Sequence, residues 1–511
     1  MRSRTIRLSW FLLSLVGVFV LVLLLRLYNL DARTIHIDEG MGLRWGQLMH
    51  DGLWRYSPYN AHGPIYFFFA SFVYGLFGDN VVAGRAGIAL VSVFWLSALL
   101  WMYWSQLRNP GRLLLLAGLG FSSGMVFFAR NFIHEHLLIL ATVGALFAAE
   151  QWIRRRAAWA PATFIVFCVL MYATKETALL TWIAWGAAAV LLLLERKRAV
   201  HLLEMNWKSV ALGVCAGVVL HMLLFTVFFQ NPRAILDSVI SLFRWSQRAQ
   251  AMHVRPFPYF LELLALHEFP LVIGAIVLGC LLTIRKKWAP RLVFFALWTV
   301  FIVLEYSVIS YKTPWCIPNL ILPLGLFVAF AFDALWRVLE QKQKEIWFLL
   351  AVVLLLAGAF GAWLDSIDHP DRVGEHEYAY LQSDASLRRF IQTLRDLNTL
   401  YDGSKPMQVQ RIGNTDELLY VLSKPYTAYD STEQLRLGLP VYINYFHDDK
   451  DTLEKLKASG KNYIRSTYRY LRDWGNVVDL FVEEGLWNRY ILEVAHEEIL
   501  PGENPLYDYS N

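Results

Sequence analysis

Long apolar runs separated by short charged stretches dominate the first 365 residues. A helix needs about twenty apolar residues to cross the hydrocarbon core of a bilayer. On that measure the pattern predicts about eleven spans, at 8–25, 82–104, 113–128, 137–153, 160–172, 178–194, 210–229, 269–284, 292–309, 317–335 and 346–363. The run 65–77 is apolar but too short to cross, and 39–49 has mixed polarity. Both read as interfacial helices in the first loop. From Ser366 the runs shorten and charges crowd together. Helical periodicity at 386–397 and 452–458 alternates with strand-like stretches at 407–412, 441–446 and 462–465, with a turn at Asp402-Gly403-Ser404. The expectation is a transmembrane domain over 1–365 and a soluble α/β domain over 366–511. No internal repeat, low-complexity tract or mid-membrane helix break is evident.

Composition agrees with the pattern. Of 511 residues, 56% are hydrophobic and only 17% charged, where soluble domains carry roughly a quarter. The mean hydropathy is +0.39. The net charge of +5 gains meaning from position. Arg108 and Arg112, Arg154-Arg155-Arg156, Arg196-Lys197-Arg198, Arg285-Lys286-Lys287 with Arg291, and Arg337 with Lys342 and Lys344 fall in alternate loops, on the side of the N-terminal arginines. Basic loops stay inside, which predicts a multi-pass cell-membrane protein with its N-terminus cytoplasmic and its C-terminal domain outside. The first run lacks a small-x-small cleavage pattern and reads as a retained span. No basic stripe suited to nucleic acid is present. Cys168, Cys215, Cys280 and Cys316 form no CxxC pair, so neither a disulfide framework nor a cysteine zinc site is supported.

The layout gathers ionisable residues on the outer face. The first loop carries His36, Asp38, Glu39, Arg44, His50 and His62. Arg85 begins the second span, Arg130 to His136 form a very short loop with His134 and Glu135, and Lys175-Glu176 form another. Later loops bring His253, Arg255, His267, Glu268 and the stretch Tyr311-Lys312-Thr313-Pro314-Trp315. Adjacent carboxylates near lipid are costly and call for a function. The mix suits transfer of a sugar from a lipid-linked phosphate. A carboxylate deprotonates the acceptor hydroxyl, cations or a metal stabilise the departing phosphate, and direct displacement inverts the anomeric centre. Duller roles exist for each group. Asp38-Glu39 suit a helix N-terminus, Glu135 can pair with Arg130, Lys312 can snorkel, Lys175-Glu176 can pair locally, and Arg85 and Arg130 can anchor helices. His221, in mid-span, reads as hydrogen-bonded. No tight metal spacing such as HExxH is present, so a divalent metal ion stays an open alternative to a proton.

The acidic pair after the first span, the short interfacial helix, the acid in the next outer loop and the C-terminal outer domain resemble the GT-C membrane glycosyltransferases, including the protein O-mannosyltransferases and lipid A aminoarabinose transferases. His36-Ile37-Asp38-Glu39, His62-Gly63-Pro64, Arg130 with Glu135, Lys175-Glu176 and Tyr311 to Trp315 are most similar to a subgroup described as associated with flippase activity in archaeal-type protein glycosylation. The resemblance covers roughly residues 8 to 365 and implies a GT-C-like fold, a polyprenyl-phosphate-linked sugar donor, and a glycan, lipid or protein acceptor. By position it makes Asp38 the catalytic acid, with Glu39 and Glu135 as partners. Lys312, Lys175, Arg85 and Arg130 become candidates for the donor phosphate, with His36, His62, His134 and Glu176 supporting an acceptor or metal. His62-Gly63-Pro64 stands where the aminoarabinose transferases have Lys-Pro-Pro, a departure that removes a phosphate-binding cation. Two rival readings are a transporter or flippase for lipid-linked sugars and a non-catalytic scaffold associated with one.

Overall fold

A computed structural model of the chain describes residues 2–59, 62–196, 206–248, 253–368, 377–403, 405–412, 417–429, 434–445, 452–471 and 476–495. Lys197 and Arg198 of one basic loop and Ser404 of the turn lie outside them, as does the chain beyond 495. The chain divides into two compact units. The first comprises 1–30 and 45–370, and the second 31–44 and 371–511.

The first unit is helical. In chain order it holds α1 (Arg2–Leu27), the latter part of α2 (Ile37–His50), α3 (Pro64–Phe77), α4 (Val81–Tyr103), α5 (Asn109–Gly120), α6 (Ser123–Ala129), α7 (Glu135–Arg155) and α8 (Ala160–Thr174). It continues with α9 (Ala178–Arg196), α10 (Trp207–Phe225), α11 (Ala234–Arg248), α12 (Tyr259–His267), α13 (Phe269–Ile284), α14 (Pro290–Val308), α15 (Ile317–Trp336) and α16 (Gln341–Trp363). Ten of the eleven apolar runs fall on one of these helices each, and 113–128 is divided between α5 and α6. Among the described residues, seven helices are long and apolar enough to cross a membrane, or nine when two bent pairs each count as one span. α8 and α9, read as spans from the sequence, are shorter apolar helices.

The core of this unit is α15. Its span is buried throughout, whereas only 6% of the α16 window and 22% of the α1 window is buried. A helix that is apolar all round belongs in the centre of a bundle, and α5, α13 and α14 pack around α15. There are two bent pairs, of which the α5–α6 break falls inside the run 113–128, while the α12–α13 break lies where the run 269–284 begins. α5 and α6 meet at 55°, α12 and α13 at 96°. Ser122 starts α6 afresh by accepting a hydrogen bond from the Met125 amide at 3.3 Å. Pro270 sits in the first turn of α13, where its missing amide proton costs nothing. One Ser at a helix start leaves the hydropathy of a run almost unchanged, so the break at Ser122 does not register in 113–128.

The second unit is a five-stranded sheet with helices. Its elements are α17 (Ser386–Leu400), β1 (Gln408–Ile412), α18 (Glu417–Ser423), β2 (Thr427–Tyr429), β3 (Val441–Tyr445), α19 (Thr452–Lys457), β4 (Tyr463–Leu471), β5 (Asn476–Glu483) and α20 (Glu484–Tyr490). The strand order is β2-β1-β3-β5-β4. β1 pairs in parallel with β2 and β3, while β5 runs antiparallel to both β3 and β4. Leu439, Tyr442, Leu456, Tyr463 and Phe481 form a core on one face.

Candidate functional site

Residues 31–44 belong to the sheet unit, although the rest of that unit lies more than 300 residues further along the chain. They are held there by backbone pairing. His36 bridges Gln382, the Ser383 amide donates to the Ile35 carbonyl at 3.2 Å, and the Thr34 hydroxyl donates to the Ser383 carbonyl at 2.6 Å. Gly40 is needed for close approach, since a Cβ there would lie 2.6 Å from that of Leu418. Arg44 stacks 3.7 Å over the Tyr420 ring.

Within this segment the three candidate residues have different tasks. Glu39 is fully buried, and its Oε2 accepts the His36 amide at 2.9 Å. It reaches back from the first turn of α2 to the residue before the helix, one half of a capping box. His36 supplies the other half. Its Nδ1 accepts the Asp38 amide at 3.1 Å, and its Nε2 lies 3.0 Å from the Tyr380 carbonyl. An amide can only donate and a carbonyl only accept, so these two contacts match the tautomer with the proton on Nε2. Asp38 differs from both. It is half-buried, its backbone is fixed by His36, and its carboxylate makes no hydrogen bond among the described residues.

The helical unit contains a second constellation. Glu135, at the start of α7, is buried completely. Its Oε1 takes the Lys175 ammonium and lies 3.3 Å from His134 Nε2, while Oε2 accepts Asn319 Nδ2 at 3.0 Å. Glu135 therefore pairs with Lys175 rather than Arg130. Burial opposes the Lys175 charge, but Cys316 and Glu135 beside it outweigh burial and hold the ammonium above its ordinary range. Glu176, next in sequence, meets His62 Nδ1 at 3.3 Å. Burial works against its charge too, yet the His62 hydrogen bond and charge pull its pKa below the usual carboxylate value. The His62 and His134 rings lie 4.0 Å apart, joining the two carboxylates through a pair of imidazoles.

The local sequence explains this convergence. A Cβ on Gly63 would meet the Ala173 carbonyl oxygen at 2.1 Å, so only glycine lets this turn lie against the end of α8. Pro64 opens α3, and the Tyr66 hydroxyl donates to the Phe132 carbonyl at 2.6 Å. His136 is used elsewhere, accepting the Trp95 indole proton at 3.1 Å, and His221 lies 2.9 Å from the Ser238 hydroxyl. Asn319 and Cys316 were not foreseen. The signal for Asn319 is an amide in the first turn of an otherwise apolar run, which needs a polar partner.

The remaining cations face carbonyls. Arg130 donates to the carbonyls of Leu25 at 3.1 Å, Tyr28 at 2.7 Å and Asn29 at 3.0 Å, and Arg85 donates to that of Leu30 at 2.7 Å. Together they close the C-terminus of α1, where unsatisfied carbonyls and the helix dipole favour cations. Lys312 is buried and donates to the carbonyls of Arg255 at 3.2 Å and Ile309. Its ammonium has no carboxylate partner among the described residues. Among those residues, no three His, Cys, Asp or Glu side chains are grouped to hold a metal ion.

No protein-family model matches the chain, and no characterised protein matches it by sequence. Solved structures do resemble it. ArnT from Cupriavidus metallidurans bound to undecaprenyl phosphate superposes with a TM-score of 0.60 at 15% identity, covering 92% of this chain and 98% of that one. The same enzyme in its apo state gives 0.60 at 14% identity, covering 93% and 98%. An Archaeoglobus fulgidus oligosaccharyltransferase tethered to an acceptor peptide reaches 0.38, too low to bear on the fold. The chain is a multi-pass membrane protein with a GT-C-like fold.

Proposed function

We propose that the chain is a membrane glycosyltransferase of the GT-C kind, within the subgroup that its outer-loop motifs resemble. It moves a sugar from a polyprenyl-phosphate-linked donor to a lipid, glycan or protein acceptor on the outer face of the cell membrane. The N-terminus lies inside and the sheet unit outside. The observation that carries this reading is the state of Asp38, a carboxylate whose backbone is pinned by His36 while its oxygens stay unengaged among the described residues. A carboxylate held ready but unspent suits a general base. Likeness of fold to an enzyme crystallised with undecaprenyl phosphate supports the donor class.

In this reading Asp38 accepts the proton of the acceptor hydroxyl as its oxygen attacks the anomeric carbon. The bond from that carbon to the phosphate oxygen breaks on the opposite face, and lipid phosphate leaves with the electron pair. Lys312 in the helical unit is the phosphate candidate that the outer-loop resemblance names, and its buried charge, met among the described residues by carbonyl dipoles, favours an anion. Glu39 holds the Asp38 turn in place. Glu135, Lys175, His134, His62 and Glu176 fix the loops of the helical unit. Asp38→Asn is expected to remain folded and to lose transfer from a lipid-phosphosugar donor by about 10²–10⁴-fold; full activity would remove Asp38 from the mechanism. Lys312→Met is expected to raise the donor KM.

A transporter reading gains one observation from the bent pairs α5–α6 and α12–α13, since broken helices line many transport sites. Movement of lipid-linked sugar across vesicles without acceptor, and without any transfer when acceptor is added, would favour it.

A further inference from the structure

A cleft of about 800 Å³ lies in the helical unit where α7 and α9 end and α14 begins. Its walls are almost wholly apolar, built from residues such as Leu146, Phe164, Trp182, Trp185, Leu193 and Phe294. Specific ligand pockets span roughly 300–1,000 Å³, and apolar walls favour a hydrocarbon occupant. Ile153, Gly186 and Ala189 line the cleft and are exposed, so it opens to the flank of the bundle. At Gly186 a side chain would meet nothing within 4 Å.

The rim is charged. Arg291 donates to Glu150 at 2.8 Å and to the Gln106 side-chain oxygen, so its charge is spent within the protein. Arg154 also lines the cleft. It is exposed and has no hydrogen bond or ion pair among the described residues. Two arginines against one glutamate leave one positive charge at the mouth of a hydrocarbon-lined space. Arg154 stands nineteen residues along α7 from Glu135, which at 1.5 Å per residue is about 28 Å, close to the thickness of the hydrocarbon core. A headgroup at Arg154 therefore belongs to the leaflet opposite the Glu135 constellation.

We propose that this cleft binds a bilayer phospholipid with an anionic headgroup, its acyl chain lying between α7, α8, α9 and α14 and its phosphate at Arg154. The inference is independent of the transferase reading, because the headgroup sits a membrane's thickness away from Glu135. Charge complementarity selects this occupant over two alternatives, a zwitterionic phospholipid and the distal hydrocarbon of a polyprenyl chain. A zwitterionic phospholipid offsets its phosphate with its own ammonium and a polyprenyl hydrocarbon has no anion, so neither neutralises the guanidinium at the rim as a net anion does.

The test uses the purified full-length chain, delipidated in detergent and titrated with phosphatidylglycerol, phosphatidylcholine or neutral polyprenol. Binding is read by native mass spectrometry and thermal midpoint. Phosphatidylglycerol is expected to bind tightest and to raise the midpoint. Arg154→Gln should weaken it about fivefold, the effect of one basic residue near an anionic headgroup, while leaving phosphatidylcholine unchanged. Gly186→Trp, which fills the cleft, should abolish binding of phosphatidylglycerol, and Gly186→Ala should retain it with an unaltered fold. Equal binding of the two phospholipids, preferential binding of polyprenol, or undiminished binding to a folded Gly186→Trp variant would each overturn the proposal.

Discussion

At the scale of single residues, neighbours in sequence can have opposite uses. Asp38 and Glu39 are adjacent carboxylates, yet Glu39 is buried and spent on the His36 amide while the Asp38 carboxylate is half-buried and unengaged among the described residues. That distinction depends on which side of the first turn each side chain leaves, which residue type alone does not reveal. The arginines teach the same lesson. Arg130 looks like a phosphate ligand in sequence, but its guanidinium meets three carbonyls at the end of α1. Arg130→Gln should therefore lower stability by about 1–3 kcal/mol, seen as a lower thermal midpoint, with the donor KM unchanged. A raised KM at unaltered stability would return it to the phosphate. His134 offers a pH test. It is 1% exposed, and burial, aided by His62 and Lys175, pushes its pKa down to about 3, below the unfolded value of about 6.5. Protons then bind the unfolded chain first, so the stability His134 contributes is present above about pH 6.5 and drains as pH falls towards 3. The slope reaches about 1.4 kcal/mol per pH unit. Thermal midpoints at pH 7 and 5 should differ less in His134→Gln than in the parent chain; parallel slopes would contradict this.

Among elements, position was easier to read than interruption. Every long apolar run became helical, 113–128 as the two helices α5 and α6, because hydrophobic length is a property of the run itself. The short helices α2 and α3 also lie where mixed polarity and limited length placed them. The break at Ser122 escaped because a hydropathy window averages over a cap, whereas the break at Glu268 falls where the run 269–284 begins. In the sheet unit, α17, β1, β3 and α19 follow the alternating pattern, whereas β2 is only three residues long and β5 is defined mainly by its pairing with β3 and β4. The turn His62-Gly63-Pro64 carries the firmest prediction at this scale. Gly63→Ala puts a methyl group 2.1 Å from a backbone oxygen, and neither partner is a flexible chain end. The change should cost about 1–3 kcal/mol as overpacking and lower activity with it, since the same turn carries His62 to Glu176. A thermal midpoint within error of the parent would show that the turn can move away from α8.

For the whole molecule, the notable fact is that the sheet unit is assembled from two distant parts of the chain. Ending the chain at Pro370 removes Tyr380, Gln382 and Ser383, which hold residues 34 to 36. Trypsin should then cut at Arg33, which is 4% exposed in the intact protein, and sugar transfer should cease. Continued protection of Arg33 would mean that other groups hold the segment. The pairing also imposes a schedule on biosynthesis. Thr34 emerges from the ribosome 349 residues ahead of its partner Ser383, a delay of roughly 20 to 70 s at ordinary elongation rates. Throughout that interval the Asp38 turn is translated but has no sheet to rest on. A nascent or prematurely terminated chain therefore reaches the membrane with Asp38 unplaced, and its segment settles only after Tyr380, Gln382 and Ser383 have been made. The order of the chain alone thus ties the placing of Asp38 to translation through Ser383.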